Sequence, residues 1–318
     1  MYYPYFRGKQ FELILLRDNA ELLRNSNFHP IVEPVKDDFT ALVRAASVIA
    51  EENVAFTLIA NPQVPQKPVK TERILKELFD SSFKKYANIC IGYILHAESN
   101  PEELVKLLDK YSDRNFTIIH YGYTNGKILH SLISKFDNIK THVFVDGFAG
   151  KLYQRQFIKD NVSRVLLRNG FKSQKKNAHY PPSEHFSDLH ITFPDEGMNG
   201  FGDYLMVGDD YTETGGPAYA VAIHLTYVDE DDDMYIYHFL SDQTDSPTDP
   251  GGKFLEALRK LMRECEKSKT KILWSSAIQE FSGFFDQQHY PGLGYVKKLS
   301  MLHHLELMGT ILPRYHQK

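Results

Sequence analysis

Three observations predict an α/β fold for this sequence, namely a (β/α)8 barrel of the TIM type. Six short apolar runs alternate with amphipathic helical segments between residues 28 and 170. The runs lack polar alternation, which is typical of parallel strands covered by helices. No Gly-rich dinucleotide-binding loop follows the first run, which favours a closed barrel over an open doubly wound sheet.

The strand–helix units follow one another regularly through the first half of the chain. A helix at about residues 9–25 precedes them, and further helices are predicted near 39–51, 71–85, 101–111, 126–136 and 151–160. The helix from Pro101 is well marked, since Asn100 can cap it and proline suits its first position. The six predicted strands are His29–Val35, Val54–Ala60, Ile89–Leu95, Phe116–His120, Thr141–Val145 and Arg164–Leu167.

The regular pattern ends after Gly170. Residues 171–203 are polar and rich in Pro, Gly, His and Asp, which predicts a long insertion loop after strand six. Leu205–Val207 is the predicted strand seven. Residues 218–228 and 234–240, joined by the acidic turn 229–233, predict a β-hairpin. We expect one hairpin strand to close the barrel, and the sequence leaves open which one.

The remaining C-terminal segments complete a prediction of one barrel domain over residues 1–318. An amphipathic helix is expected near 252–265, a strand or loop at 272–277 and a final helix near 296–312. The chain thus divides into regular units at 28–170, an insertion at 171–203, and barrel closure with C-terminal helices at 204–318.

Composition limits the class of protein. The 318 residues carry a net charge of −4 and are 42% hydrophobic, as in ordinary globular proteins. No apolar run approaches the roughly 18 residues of a membrane helix, and residues 1–9 lack the apolar core of a signal peptide. We therefore expect a cytoplasmic protein without a membrane association. The pI near 6.4 argues against a generally basic nucleic-acid surface, although Lys172, Lys175 and Lys176 keep nucleic acid as an alternative partner.

Polar residues end nearly every predicted strand. In β/α barrels the active site lies at the carboxyl ends of the strands, so these residues are the candidates for chemistry. They are Glu33, Asn61, His96, Glu98, His120, Asp146, Arg168 and Asn169, followed by Asp209, Asp210, Ser241 and Asp242 after the last strands.

Five of these residues form the candidate site of an enzyme hypothesis. Carboxylates and imidazoles that converge from separate strands can bind a divalent metal or act as an acid–base pair. We predict Glu33, Asp146 and Asp209 as metal ligands, and Glu33, His120, Asp146 and Arg168 as catalytic groups. Arg168 would stabilise an anionic substrate. The alternative is that polar residues follow the strands because strand ends meet solvent in any barrel.

Three stretches carry a resemblance to a known family. They are Tyr3-Pro4-Tyr5-Phe6-Arg7-Gly8-Lys9-Gln10-Phe11-Glu12-Leu13, then Pro30-Ile31-Val32-Glu33-Pro34-Val35, and Gly202-Asp203-Tyr204 through Glu213-Thr214-Gly215-Gly216-Pro217-Ala218. In these the chain resembles the uncharacterised bacterial family called beta protein, and in particular a relative found beside predicted nucleases in mobile and phage-defence gene clusters. The resemblance implies a defence role and a protein partner encoded nearby, such as a nuclease. It implies no catalytic residue.

The sequence therefore supports two functions. One is a binding or adaptor module of a bacterial phage-defence or mobile-element system, in which another protein does the chemistry. The other is a metal-dependent hydrolase, for example a phosphodiesterase or nuclease-like enzyme, with its site at the strand ends. The identity of a cofactor is not predicted beyond a divalent metal in the second case.

Overall fold

The computed structural model describes residues 1–158, 161–213 and 216–315, and its contacts divide the chain into two compact units. The first unit contains residues 1–169 and 192–204, and the second contains residues 170–191 and 205 onward. We predicted one barrel domain for the whole chain. The barrel occupies the first unit.

Eight parallel strands form the barrel, which confirms the predicted fold class. Hydrogen bonds join them in the sequence β1-β2-β3-β4-β5-β6-β7-β9. The strands are β1 (Tyr5–Phe6), β2 (Ile31–Val32), β3 (Phe56–Ile59), β4 (Ile89–Leu95), β5 (Phe116–His120), β6 (Ile139–Val145), β7 (Ser163–Leu167) and β9 (Gly200–Gly202).

The two end strands of this sheet meet and close the barrel. The backbone N–H of Tyr3 donates to the carbonyl of Phe201 at 2.8 Å, and that of Tyr5 donates to Asp203 at 2.9 Å. Glycine is needed at this seam, because a Cβ on Gly200 would lie 2.7 Å from the Met1 carbonyl oxygen. A glycine-rich strand therefore lets the neighbouring backbone approach closely.

Helices follow the strands of the first unit, as predicted. The segment predicted as the first helix forms two helices, and the helix predicted near residues 71–85 begins as an α-helix and continues as a π-helix. Their bounds are α1 (Gln10–Asp18), α2 (Ala20–Asn25), α3 (Thr40–Glu51), α4 (Thr71–Ile74, with the π-helix Leu75–Ser82), α5 (Pro101–Lys110), α6 (Gly126–Ile133) and α7 (Lys151–Gln154, with the 3-10 turn Arg155–Phe157). The predicted end of the α7 helix, Asp160, lies outside the described residues.

The barrel interior is filled by side chains that alternate along each strand. Successive residues of a strand point to opposite faces, so Ile119 faces the interior and His120 faces the helices. The buried interior cluster comprises Tyr3, Tyr5, Ile31, Ile59, Ile94, Ile119, Val143, Val145, Val165, Leu167 and Tyr204. The centre of the barrel is therefore filled by side chains, so a catalytic site is expected at the strand ends.

The second unit contains a separate three-stranded antiparallel sheet. Its order is β10-β11-β8, formed by β8 (Ser183–Ser187), β10 (Ala222–Val228) and β11 (Met234–Leu240). The predicted hairpin is confirmed as a hairpin, but the prediction that it closes the barrel is wrong. The barrel is closed by β1 and β9, and the hairpin instead pairs with β8 from the predicted insertion loop.

The helices of the second unit complete its core. They are α8 (Leu189–Thr192, which ends at the change of unit), α9 (Pro250–Cys265), α10 (Ser276–Gln287) and α11 (Leu293–Tyr315). Residues 205–207 form a turn, so the predicted strand seven is wrong, and 272–275 form a loop before α10. Among the described residues, the model has no helix long and apolar enough to span a membrane.

Candidate functional site at the strand ends of the barrel

Glu33 is fully buried directly after β2, and its carboxylate is occupied by donors from the protein. One oxygen, Oε2, accepts from the Tyr5 hydroxyl at 2.7 Å and forms an ion pair with Arg7. The other, Oε1, accepts from the backbone N–H of Gln63 at 2.6 Å. This bonding makes Glu33 a fixed structural anion at the mouth of the barrel.

Arg7, the partner of Glu33, lies between two aromatic rings. Its guanidinium carbon is 5.1 Å from the centroid of Tyr5 and 5.6 Å from that of Tyr204. Both distances lie within the range of cation–π attraction. Burial, followed by the adjacent Glu33 carboxylate, raises the pKa of Tyr5 well above its ordinary value, so its hydroxyl stays a donor. The four side chains form one closed cluster.

A second, exposed group of charges lies after β6 and β7. The Arg168 Nε donates to Asp146 Oδ2 at 2.6 Å, and its Nη2 lies 3.7 Å from Glu196 Oε1. Lys151 also pairs with Glu196. The Asp146 side chain is 43% exposed. The structure thus brings two predicted catalytic residues, Asp146 and Arg168, into direct contact with each other.

His120 does not point into the mouth. Its imidazole is buried between the sheet and the helices, where Nδ1 lies 2.6 Å from the Tyr153 hydroxyl and Nε2 lies 2.9 Å from Nδ1 of His142. The ring also stacks on Phe144 at 4.7 Å. Burial, with His142 as the smaller cause, holds the pKa of His120 well below its ordinary value. A neutral His120 anchors α7 to the barrel.

Aromatic rings line the mouth after β4, β5 and β6. The rings of His96 and Tyr121 meet edge to face at 5.1 Å, and Tyr121 packs on Phe148 at 4.3 Å. Asn61, another predicted candidate, has a structural role. Its side chain donates one hydrogen bond to the Ile94 carbonyl and accepts one from the Ile94 backbone N–H. These rings form an apolar rim that ends at Phe148, which is 52% exposed.

The predicted metal ligands are divided between the two units. Glu33 and Asp146 belong to the barrel unit, whereas Asp209 lies in the second unit. Within residues 1–158, 161–213 and 216–315, no group of three His, Cys, Asp or Glu side chains is arranged to hold a metal ion. Both cysteines are free thiols, and burial raises the pKa of Cys90 to about 12.

Sequence reasoning missed the residues that neutralise Glu33. Tyr5 and Arg7 belong to β1 and the residue that follows it, a segment in which the sequence pattern predicts no strand. The alternation Tyr3, Tyr5, Arg7 was a signal, because every second residue of a strand shares one face. Tyr204 had no such signal, since it follows a Gly-Phe-Gly strand.

Comparison with known proteins finds similarity among solved structures alone. No protein-family model matches the chain, and no curated protein matches it. Among solved structures, it is similar to a dihydrodipicolinate synthase family protein from Coccidioides immitis, with a TM-score of 0.43 and 10% sequence identity over 97% of this chain and 83% of that one. We draw no conclusion about activity or substrate from this similarity.

Proposed function

We propose that the protein is a binding or adaptor module of a bacterial phage-defence or mobile-element system, with a TIM-like barrel that recognises a protein partner encoded nearby. The bonding of Glu33 carries the proposal. Its carboxylate is buried and already bonded to Tyr5, Arg7 and the Gln63 amide. To bind a metal or act as a general base, Glu33 would have to give up these bonds. The change would leave a buried charge without its partner, which costs several kcal/mol.

The alternative function, a metal-dependent hydrolase, needs a different arrangement of the same residues. Oxygen and nitrogen ligands must converge on one point within about 2–2.6 Å of a divalent cation. In the structure Asp146 pairs with Arg168, and His120 faces the helices. The exposed, fixed rim of the mouth fits recognition of another protein better than it fits hydrolysis.

Co-purification tests the proposal directly. The tagged protein is expressed together with the products of its flanking genes, and complexes are isolated at physiological salt. We expect one flanking product to be retained in stoichiometric amount. A strictly monomeric protein that retains none of them would contradict the proposal.

Metal analysis of the same preparations tests the alternative. Stoichiometric Mn, Zn or Mg that is lost in Asp146→Asn, with the variant still folded by circular dichroism, would favour the hydrolase. A Lys106→Glu variant is a suitable control, because Lys106 is exposed on α5 away from the strand ends.

A further inference from the structure

Exposed apolar side chains are concentrated on one part of the barrel. Eight large hydrophobic residues of the described chain are exposed, and four of them lie on α6 and on the segment from β6 through α7. These are Ile128, Phe148, Leu152 and Ile158, with exposed fractions of 50%, 52%, 76% and 54%. Contiguous exposed apolar residues commonly mark an interaction site.

The elements that carry these residues pack against each other. A Cβ on Gly126 at the start of α6 would lie 2.8 Å from the ring of Tyr153 in α7. The rings of His130 and Phe157 lie 5.7 Å apart. Tyr153 is in turn fixed by its 2.6 Å hydrogen bond with His120. The two helices therefore form one supported surface.

Basic side chains predominate on this surface, with Glu196 and the neighbouring Asp146 as acidic exceptions. Residues 121–136 and 147–158 contain Lys127, Lys135, Lys151 and Arg155 but no Asp or Glu, although the whole chain has a net charge of −4. Lys151 is paired with Glu196. Lys127, Lys135 and Arg155 are exposed and form no ion pair with any residue that the structure describes. We call Ile128, Phe148, Leu152, Ile158, Lys127 and Arg155 the α6–α7 face.

We propose that the α6–α7 face docks an acidic, amphipathic segment of a protein partner, an inference that rests on the proposed binding function. Apolar side chains of that segment would cover Leu152 and Phe148, and its carboxylates would pair with Lys127 and Arg155. Charge complementarity of this kind sets orientation and association rate, while the buried apolar anchors supply most of the affinity. A helix with apolar residues at i, i+3, i+4 and i+7 has the required form.

The number of cations favours an acidic protein segment over an anionic membrane or a single-stranded nucleic acid. Recognition of an anionic membrane commonly uses clusters of about four to eight Lys or Arg. Residues 121–136 and 147–158 contain three exposed ones for which the structure describes no ion pair, namely Lys127, Lys135 and Arg155. Binding of single-stranded nucleic acid uses a basic groove with several stacking rings, and Phe148 is the exposed ring here. A short acidic protein segment needs no more than the face provides.

Peptide binding tests the inference. The probe is a fluorescein-labelled helical peptide with Leu at i, i+3, i+4 and i+7 and Glu elsewhere, and its counterpart has Lys in place of Glu. We expect saturable binding of the acidic peptide only, with affinity that falls as salt rises. Leu152→Glu and Arg155→Glu should each weaken it about tenfold or more, which corresponds to about 1.4 kcal/mol.

Matched variants outside the face provide the controls. Leu293→Glu exchanges another exposed helical leucine, 41% exposed in α11, and Lys106→Glu reverses a charge on α5. Both should leave the affinity within about twofold, well under the 1.4 kcal/mol of a tenfold change. No saturable binding of the acidic peptide, or equal binding by the face variants and wild type, would overturn the inference. So would tighter binding of phosphatidylserine vesicles or of a single-stranded oligonucleotide that the same variants abolish.

Co-purification then separates the inference from the proposed function. If a flanking gene product is retained equally by wild type and by Leu152→Glu, the binding function stands and the assigned face is wrong. If wild type retains no product, the proposed function fails, and the peptide measurement still decides whether the face selects acidic amphipathic segments.

Discussion

The two units differ in whether they bury carboxylate side chains. The barrel unit buries the carboxylates of Glu12, Glu33 and Asp203. In the described part of the second unit no Asp or Glu is buried, and the buried ionisable groups include Lys253, His303 and His304. The barrel unit thus encloses acids together with bases such as Arg7 and His120, whereas the described part of the second unit encloses bases without a buried acid.

The buried charged groups of each unit are hydrogen-bonded to nearby residues. Glu12 accepts from the backbone N–H of Arg7 at 2.5 Å, and Asp203 accepts from the Tyr2 hydroxyl at 2.8 Å. In the second unit, Lys253 donates to the carbonyl of Ala218 at 3.1 Å and to that of Ser246. A buried polar group is stable only when it is bonded, so these partners are part of each fold.

A chain of imidazoles extends the pattern in the second unit. Nε2 of His238 lies 3.1 Å from Glu184 Oε1, and the Nδ1 atoms of His238 and His224 are 2.7 Å apart. With the carboxylate as an acceptor, His238 donates from Nε2 and its Nδ1 accepts from His224. Burial is the largest cause that lowers the pKa of both histidines. His224 and His238 therefore favour the neutral form.

The largest effect is expected at the buried acid of the barrel. Glu33→Ala leaves the Arg7 guanidinium buried without its carboxylate, so the free energy of unfolding should fall by about 3–5 kcal/mol. Urea denaturation followed by circular dichroism measures the change. A loss below 1 kcal/mol would mean that Glu33 is not a structural anion.

Acid should destabilise the second unit through His303. Its Nε2 donates to the Thr226 carbonyl at 2.9 Å, its Nδ1 lies 2.8 Å from Ser275 Oγ, and burial lowers its pKa from 6.5 to about 4. The unfolded chain binds the proton first, so stability is complete above pH 6.5 and is lost as the pH falls toward 4. This one group accounts for about 3 kcal/mol.

The measurement is the pH dependence of the unfolding free energy. In His303→Asn the difference between about pH 7.5 and pH 4.5 should shrink by 2–3 kcal/mol. The comparison variant is His289→Gln, which removes an exposed histidine in place of a buried one. If the loss of stability in acid were as large in His303→Asn as in the wild type, folding would not lower the pKa of His303.

A smaller effect is expected at the buried base Lys253. Lys253→Met removes a charge that has no buried carboxylate partner, but it leaves two carbonyl oxygens without their donor. We expect a loss of about 1–3 kcal/mol in thermal or urea unfolding. A loss as large as that of Glu33→Ala would contradict the expected difference between the ion-paired Glu33 and Lys253, which is held by carbonyl oxygens.

The smallest effect is expected at the exposed pair of the barrel. Asp146→Asn breaks the bond to Arg168, but the Asp146 side chain is 43% exposed, so we expect a change of about 0–1 kcal/mol. Raising the salt concentration should reduce even this difference. A loss above 2 kcal/mol would place Asp146 with the buried acids.

Sequence patterns predicted the central strands well because those strands are continuous apolar runs. Ile89–Leu95 and Phe116–His120 were predicted with the observed bounds. The seam strands escaped prediction for physical reasons: β1 is two residues long, and the glycines of β9 reflect backbone contact rather than strand propensity. Periodicity also finds a hairpin such as 222–240 without showing which sheet it joins.

The site was less predictable than the fold. A strand-end position does not determine which face of the sheet a side chain lies on. Because successive residues of a strand alternate between faces, His120 faces the helices although Ile119 faces the barrel interior. Asp146 and Arg168 were correctly placed after adjacent strands, but their mutual pairing depends on side-chain geometry. The defence-related function and its partner stay predictions.

The seam between β1 and β9 has a consequence during protein synthesis. The first barrel strand, β1, pairs with β2 on one side, but its partner on the other side, β9, lies about 195 residues further along the chain. At roughly 5–20 residues per second, synthesis of this stretch takes about 10–40 seconds. Until then the nascent sheet has two open edges, β1 and β7, which can pair with other chains. Ribosome-associated chaperones are therefore expected to matter most while residues 167–204 are being made.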